Sequence, residues 1–218
     1  MGKYPVFLEL TGRRAVIIGG GAVAAKKAQT LLATGVRLVI VAEDIDNLLE
    51  AQCRGTSAEL IKSRYSKDYL VGATLVIAAT NDCRLNKQIH RDCQELEILC
   101  NVVDEPQLCD FFVPAVVRRG DLQIAICTEG HYPASAAHIK KKLEQTFTNE
   151  HGEFLSELEK IRKEVIGSMP DSADRKAVLG QLADDESFEY FIQCGLSEWR
   201  KRAERLVQKL IGQEKTTD

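Results

Sequence analysis

Chemistry first suggests itself at Gly19-Gly20-Gly21-Ala22-Val23-Ala24. The spacing Gly19-x-Gly21-x-x-Ala24 follows a short apolar run and opens a helical pattern, the context a dinucleotide-binding loop needs. Gly19 permits a tight turn. Gly21 leaves the backbone bare where a pyrophosphate would approach, and Ala24 is small enough for the helix to lie close on the strand. A helix starting there would aim unpaired N–H groups and a partial positive charge at the phosphates. Glu43 stands 19 residues after Ala24, just past a second apolar run. An acid at that position binds the ribose 2′-hydroxyl and repels a 2′-phosphate, so the cofactor expected is NAD rather than NADP. Blander readings exist: glycines that only make a tight strand-to-helix turn, and a solvated loop acid.

These residues need a scaffold, and the chain supplies a recognisable pattern. Arg14 to Ile18, Arg37 to Val41, Glu59 to Lys62, Thr74 to Ala79 and Ile98 to Val103 read as buried parallel strands. Helical patterns run between them over Val23 to Leu32, Ile45 to Cys53 and Leu85 to Glu95, with Lys26 and Lys27 on the polar face of the first. This alternation predicts an α/β fold with a Rossmann-type doubly wound parallel sheet. After Asp104 the pattern changes. Phe111 to Arg118 and Leu122 to Cys127 flank Arg119-Gly120-Asp121 as a hairpin. Pro133 opens a helix to about Phe147. From His151 onward the chain is charged and helical, with one apolar stripe at Leu155, Leu158, Ile161, Val165 and Ile166 and another at Trp199, Leu206, Leu210 and Ile211. A break is expected at Ser168 to Ser172, and a frayed tail from Gln213 to Asp218. The expected division is a Rossmann domain over 1–112, a small α+β region over 113–149 and a helical region over 150–218.

Composition narrows the function classes. A net charge of −3 gives no electrostatic case for nucleic-acid binding. Cysteines at 53, 83, 93, 100, 109, 127 and 194 are odd in number and form no CxxC pair, so neither a disulfide framework nor a zinc ribbon is suggested. Reduced thiols in the cytoplasm are the simpler reading. The opening residues lack a signal-peptide core, and no apolar run approaches the roughly 20 residues a membrane span needs.

Longer segments carry a resemblance. Phe7-Leu-Glu-Leu-Thr-Gly-Arg-Arg-Ala-Val-Ile-Ile-Gly-Gly-Gly-Ala-Val-Ala-Ala-Lys-Lys27 resembles the N-terminal signature of the siroheme synthase family, and Val76-Ile-Ala-Ala-Thr-Asn-Asp82 and Cys100-Asn-Val-Val-Asp104 followed by Phe112-Val-Pro-Ala115 match it too. The likeness is good over residues 4–147 and thinner beyond. It implies NAD-dependent dehydrogenation of precorrin-2 to sirohydrochlorin. In bifunctional members ferrous iron is then inserted, with Fe2+ as substrate and no resident metal. It implies a homodimer formed through the 113–149 region and the helical part, and a chain without the methyltransferase domain of some relatives. The family's important carboxylate falls on Asp104, at the carboxyl edge of the sheet, where a general base could take the departing proton. A strand-end acid that only caps a turn is the plainer alternative. Cofactor contacts fall on Ala22, Val23, Glu43 and Asp44, with Thr80 and Asn81 placed to line the nicotinamide side.

One segment departs from the family. Where a Ser-Thr-x-Gly-x-Ser-Pro pattern is usual, this chain reads Cys127-Thr128-Glu129-Gly130-His131-Tyr132-Pro133. Thr128 takes the position of a serine that some relatives can have phosphorylated, near the expected tetrapyrrole. That substrate carries eight carboxylates, so Arg118, Arg119, Lys140, Lys141 and Lys142 are candidate cations, with Arg118 and Lys140 foremost; a solvated helix face is as good a reading for the lysines. His131 and His138 read as surface or packing residues, and Cys100 and Cys109 as buried small hydrophobes. A Rossmann unit beside helical dimerisation segments would also suit a non-catalytic NAD(H)-sensing regulator, although that class gives no reason for the Asp104 and Phe112 segments.

Overall fold

The computed structural model describes residues 2–128, 132–168 and 171–214. The chain forms two compact units, Met1–Val113 and Pro114–Asp218.

In the first unit five strands, β1 (Arg14–Ile18), β2 (Arg37–Ala42), β3 (Glu59–Lys62), β4 (Leu75–Ala78) and β5 (Leu99–Val102), form one sheet in the order β3-β2-β1-β4-β5. All pairings are parallel. The continuous apolar runs follow from burial on both faces. Ala15 and Ile17 of β1 pack with Leu38, Ile40, Leu75 and Ile77 on the face covered by α1 (Ala22–Leu32) and α2 (Asn47–Cys53). Val16 and Ile18 pack with Val39, Val41, Val76, Cys100 and Val102 on the face covered by α3 (Cys83–Glu95). The predicted strands all form. Side-chain acceptors set two of the helix starts: Asp46 takes the Leu48 N–H at 2.8 Å, and Asp82 takes those of Arg84 and Leu85 at 2.8 and 3.2 Å. Of the two lysines assigned to the polar face of α1, Lys26 is exposed but Lys27 is half-buried.

In the second unit β6 (Ala115–Arg119) and β7 (Leu122–Ile126) pair antiparallel around Gly120, followed by α4 (Pro133–Thr146), α5 (Asn149–Ser168), α6 (Ser172–Leu182) and α7 (Asp185–Glu214), which kinks at Gly195. The first hairpin strand starts at Ala115, not Phe111, because Asn101 Nδ2 donates to the Phe111 carbonyl at 2.8 Å and holds that stretch to the first unit's sheet edge. The α5 stripe also differs from expectation. Leu155 and Ile166 point outward, and the buried face is Phe154, Glu157, Ile161 and Val165, with Leu158 partly covered. Phe154 is the centre of this core, its ring packing on Phe188, Phe191 and Trp199, and Trp199 donates its indole N–H to Ser187 Oγ at 2.9 Å. Met169 and Pro170 of the expected break, residues 215–218 of the expected tail, and the side chains of Leu210 and Ile211 lie outside the described residues.

The hairpin and the helices share one unit for a steric reason. Arg119 donates Nε to the Phe147 carbonyl at 2.8 Å and Nη2 to the Glu144 carbonyl at 3.1 Å, closing the end of α4 onto β6. On α5, Gly152 lies so close to the hairpin turn that a Cβ there would meet the Arg119 carbonyl oxygen at 2.5 Å. Gly152→Ala is therefore expected to destabilise by about 2 kcal/mol, at the upper part of the usual range for one substitution, read as a lowered thermal midpoint.

Candidate functional site

The carboxyl ends of β1, β2 and β4 meet where the strand order reverses, the place open α/β sheets bind ligands. Bare backbone makes that meeting possible. Gly19 has φ +127, and a Cβ on it would lie 2.3 Å from the Ala79 carbonyl oxygen at the end of β4. A Cβ on Gly20 would lie 2.0 Å from the Asp44 carbonyl oxygen after β2, and the Gly20 carbonyl accepts the Asp46 N–H at 2.8 Å. Gly20 is thus as constrained as Gly19, which the motif spacing alone does not reveal. Gly21 is different: nothing lies within 4 Å of the space its Cβ would take. It caps α1 without a side-chain hydrogen bond, and no acidic residue occupies the first turn. The leading N–H groups of α1 therefore open onto a cleft with no acid of their own first turn beside them.

That cleft, of about 810 Å³, brings together most of the predicted cofactor residues: Gly19, Gly21, Ala22, Val23, Glu43, Asp44, Thr80 and Asn81, together with Asp104. Ala24 is fully buried under the helix and acts by its smallness. The bare cradle above Gly21 and the acid at the end of β2 fit a dinucleotide: the backbone N–H groups of Ala22, Val23 and Ala24 would meet a pyrophosphate, and the Glu43 carboxylate would meet a ribose. Glu43 is exposed and meets Arg64 Nε at 3.4 Å. Asp46 is occupied as the cap of α2.

Three contributors escaped sequence reasoning. Asn86 is buried and holds Thr80, accepting its hydroxyl at 2.7 Å and donating to its carbonyl at 3.1 Å. Ser63 lines the cleft after β3. Tyr65 lines it too, its hydroxyl donated to Asp92 at 2.7 Å; burial and then that bond push the phenol above its usual value. A polar residue or tyrosine in a loop carries no local signal of such a role.

Asp104 is exposed in the cleft with φ +62, the third residue of a turn closed by the Glu105 N–H on the Val102 carbonyl at 3.4 Å. Left-handed backbone is open mainly to Gly, Asn and Asp. Cys109 departs from the small-hydrophobe reading. It is half-buried, and its sulfur accepts from Val102 N–H at 3.3 Å and donates to the Val102 carbonyl at 3.2 Å. Cys100 is fully buried, its thiol pushed up by its bond with Cys93 and by burial. Burial lowers the Lys27 ammonium, and the Cys109 sulfur opposes that shift.

Thr128, Arg118 and Lys140 belong to the second unit. Thr128 donates to the Tyr132 carbonyl at 3.2 Å, Arg118 to Gln123 Oε1 at 3.1 Å, and Lys140 pairs with Glu144 at 3.7 Å. Arg119 is consumed by backbone carbonyls and is a structural cation. Lys141, Lys142 and His138 are exposed, and His131 lies outside the described residues. All seven cysteines are free thiols.

A sequence model for a family described as "Putative NAD(P)-binding" matches residues 6–115. The chain belongs to this NAD(P)-binding family. It is 39% identical over 216 residues to a siroheme synthase of Pseudomonas putida, covering 97% of this chain and 45% of that protein. It is 36% identical over 176 residues to a siroheme synthase of Psychrobacter arcticus, covering 81% of this chain and 32% of that protein. The chain thus spans less than half of these relatives' length. A solved structure titled SirC, precorrin-2 dehydrogenase shares the fold with a TM-score of 0.77 at 21% identity, over 93% of this chain and 100% of that one.

The glycines of this loop are expected to separate stability from affinity. Gly21→Ala is expected to fold with an unchanged thermal midpoint and to weaken NADH binding about tenfold or more, by fluorescence titration, because the methyl enters the cradle. Gly20→Ala is expected to lower the midpoint by several degrees, because its methyl meets backbone.

Proposed function

We propose that this protein dehydrogenates precorrin-2 to sirohydrochlorin with NAD, and that Asp104 is the general base. The observation that carries the reading is that Asp104 lines the same cleft as the bare Gly21 cradle. Membership of an NAD(P)-binding family, the siroheme synthase relatives and the fold shared with a protein titled precorrin-2 dehydrogenase support it.

Bound NAD supplies a nicotinamide ring that accepts a hydride. The α1 N-terminus holds the pyrophosphate through the Ala22, Val23 and Ala24 N–H groups, without a cation. Glu43 takes the ribose hydroxyls. Thr80, fixed by Asn86, gives the nicotinamide side a rigid wall. Asp104 accepts, on a carboxylate oxygen, the proton that leaves the macrocycle beside the carbon giving up its hydride. Its exposure and turn position leave it free to approach a large substrate and to pass the proton to water. Ferrous iron enters this reading as a substrate, with the same carboxylate taking the two pyrrole N–H protons one after the other and passing each to water. Arg118, bonded to Gln123, and Lys140, paired loosely with the half-buried Glu144, are the cations we assign to substrate carboxylates.

We further propose a cytoplasmic homodimer assembled through β6, β7 and α4. A two-stranded sheet with free edges gains from added partners. Free thiols throughout suit a reducing compartment. Among the described residues no helix is long and apolar enough to cross a membrane.

Enzymatically prepared precorrin-2 with NAD is expected to yield NADH and the sirohydrochlorin spectrum; folded protein without turnover refutes the reading. Asp104→Asn, which removes the charge yet tolerates the left-handed backbone, is expected to keep NADH affinity within about twofold and lose about 100-fold or more in kcat. For cofactor choice, NAD should bind at least about tenfold tighter than NADP, and Glu43→Gln should narrow that gap, since it removes the charge that repels a 2′-phosphate.

A further inference from the structure

We infer that Cys109 and Asp110 are positioning residues for Asp104: they replace the missing sixth strand of the sheet and thereby fix the turn that carries the carboxylate. The inference rests on the reading of Asp104 as the base.

β5 is an edge strand, so the peptide groups of Cys100 and Val102 point away from β4 and need partners. Among the described residues no strand supplies them. The Cys100 N–H is taken by Asp110 Oδ2 at 2.9 Å, and the Cys100 carbonyl accepts the Asp110 N–H at 2.8 Å. Two residues along, Cys109 Sγ accepts the Val102 N–H at 3.3 Å and donates to the Val102 carbonyl at 3.2 Å. Asn101 adds a third tie, its Nδ2 donating to the Phe111 carbonyl at 2.8 Å. Every tie joins β5 to residues just beyond the turn, so the segment from Val103 to Leu108 is a loop closed at both ends. Asp104 stands in it with φ +62, a conformation that persists only where the surroundings over-determine it.

The thiol suits this double role. Burial pushes Cys109 up, keeping its proton available to the Val102 carbonyl. A serine at 109 keeps one donor and two acceptor lone pairs; an alanine leaves the Val102 N–H unanswered and the Val102 carbonyl with only the long bond from the Glu105 N–H. Asp110 holds Cys100 with a charge-assisted bond, which Asn would retain more weakly.

The test compares wild type, Cys109→Ala, Cys109→Ser and Asp104→Asn. For each, hydrogen–deuterium exchange over residues 99–106, NADH affinity, and kcat and KM with precorrin-2 are measured. For Cys109→Ala we expect exchange over this segment to quicken about tenfold, kcat to fall about tenfold, and NADH affinity and KM to stay within about twofold, with Cys109→Ser recovering most of the kcat. Unchanged exchange or kcat in Cys109→Ala, with wild type active and Asp104→Asn inactive, overturns the positioning role. A parallel loss of NADH affinity and kcat without recovery by serine also overturns it, by showing a general structural role. Wild-type inactivity with precorrin-2 would overturn the functional reading and the positioning role with it, whereas the Cys109 comparison in an active wild type tests the positioning role alone.

Discussion

Three strand ends are held within backbone contact by residues that have no side chain. Gly19 lies on the Ala79 carbonyl and Gly20 on the Asp44 carbonyl, while Gly21 faces open space. The first two contacts draw the ends of β1, β2 and β4 together; the third leaves the gap above them unfilled. The helix that follows must also lie close to the sheet, and Ala24, Ala25 and Ala28, all buried, allow it. A methyl at either of the first two glycines would push α1 off the strand ends and turn its N–H groups away from the gap. The remaining cleft geometry depends on this approach, because Glu43 and Thr80 stand at the ends of the strands so gathered.

The other side of the cleft is built by the opposite means. Among the described residues β5 has no outer neighbour, and its spare peptide groups are answered by a carboxylate, a backbone N–H and a thiol from the loop that follows. This removes an exposed edge that would otherwise offer itself for unwanted pairing. It also couples the edge to the loop carrying Asp104. The cofactor side therefore tolerates no added atoms, whereas the Asp104 side tolerates no lost hydrogen bonds. A change of volume and a change of polarity should damage different halves of one site.

The parallel strands were legible because burial on both faces makes apolar runs continuous, and Gly19, Gly21 and Ala24 because their steric roles need particular residues at fixed spacing. Asp104 was legible only through its resemblance to a family, since one acid at a strand end has no periodicity. Gly20, Asn86, Tyr65 and Asp110 were not singled out, and Cys109 was read only as a small hydrophobe, as each acts through a partner distant in sequence or through an approach only folding creates. Two misreadings have clear causes. Phe111-Phe112-Val113 looks like strand, but the Phe111 carbonyl is already used by Asn101. Leu155 and Ile166 are apolar and helically spaced, but the stripe that faces the core runs through Phe154 instead.

Placing an aspartate at φ +62 costs free energy that a glycine there would not. Backbone strain of this kind is about 1–3 kcal/mol. The two Cys109–Val102 bonds and the two Asp110–Cys100 bonds, at about 1 kcal/mol each, are of sufficient size to offset it. A turn that only reversed the chain would need neither the strain nor the bonds. Glycine at 104 would relax the turn and remove the acid; alanine would keep the strain and still remove the acid. Aspartate is one of the few residues that both tolerates the conformation and carries a charge. The coincidence of a strained turn, a carboxylate and a loop tied at both ends is what separates Asp104 from the other exposed acids of this chain.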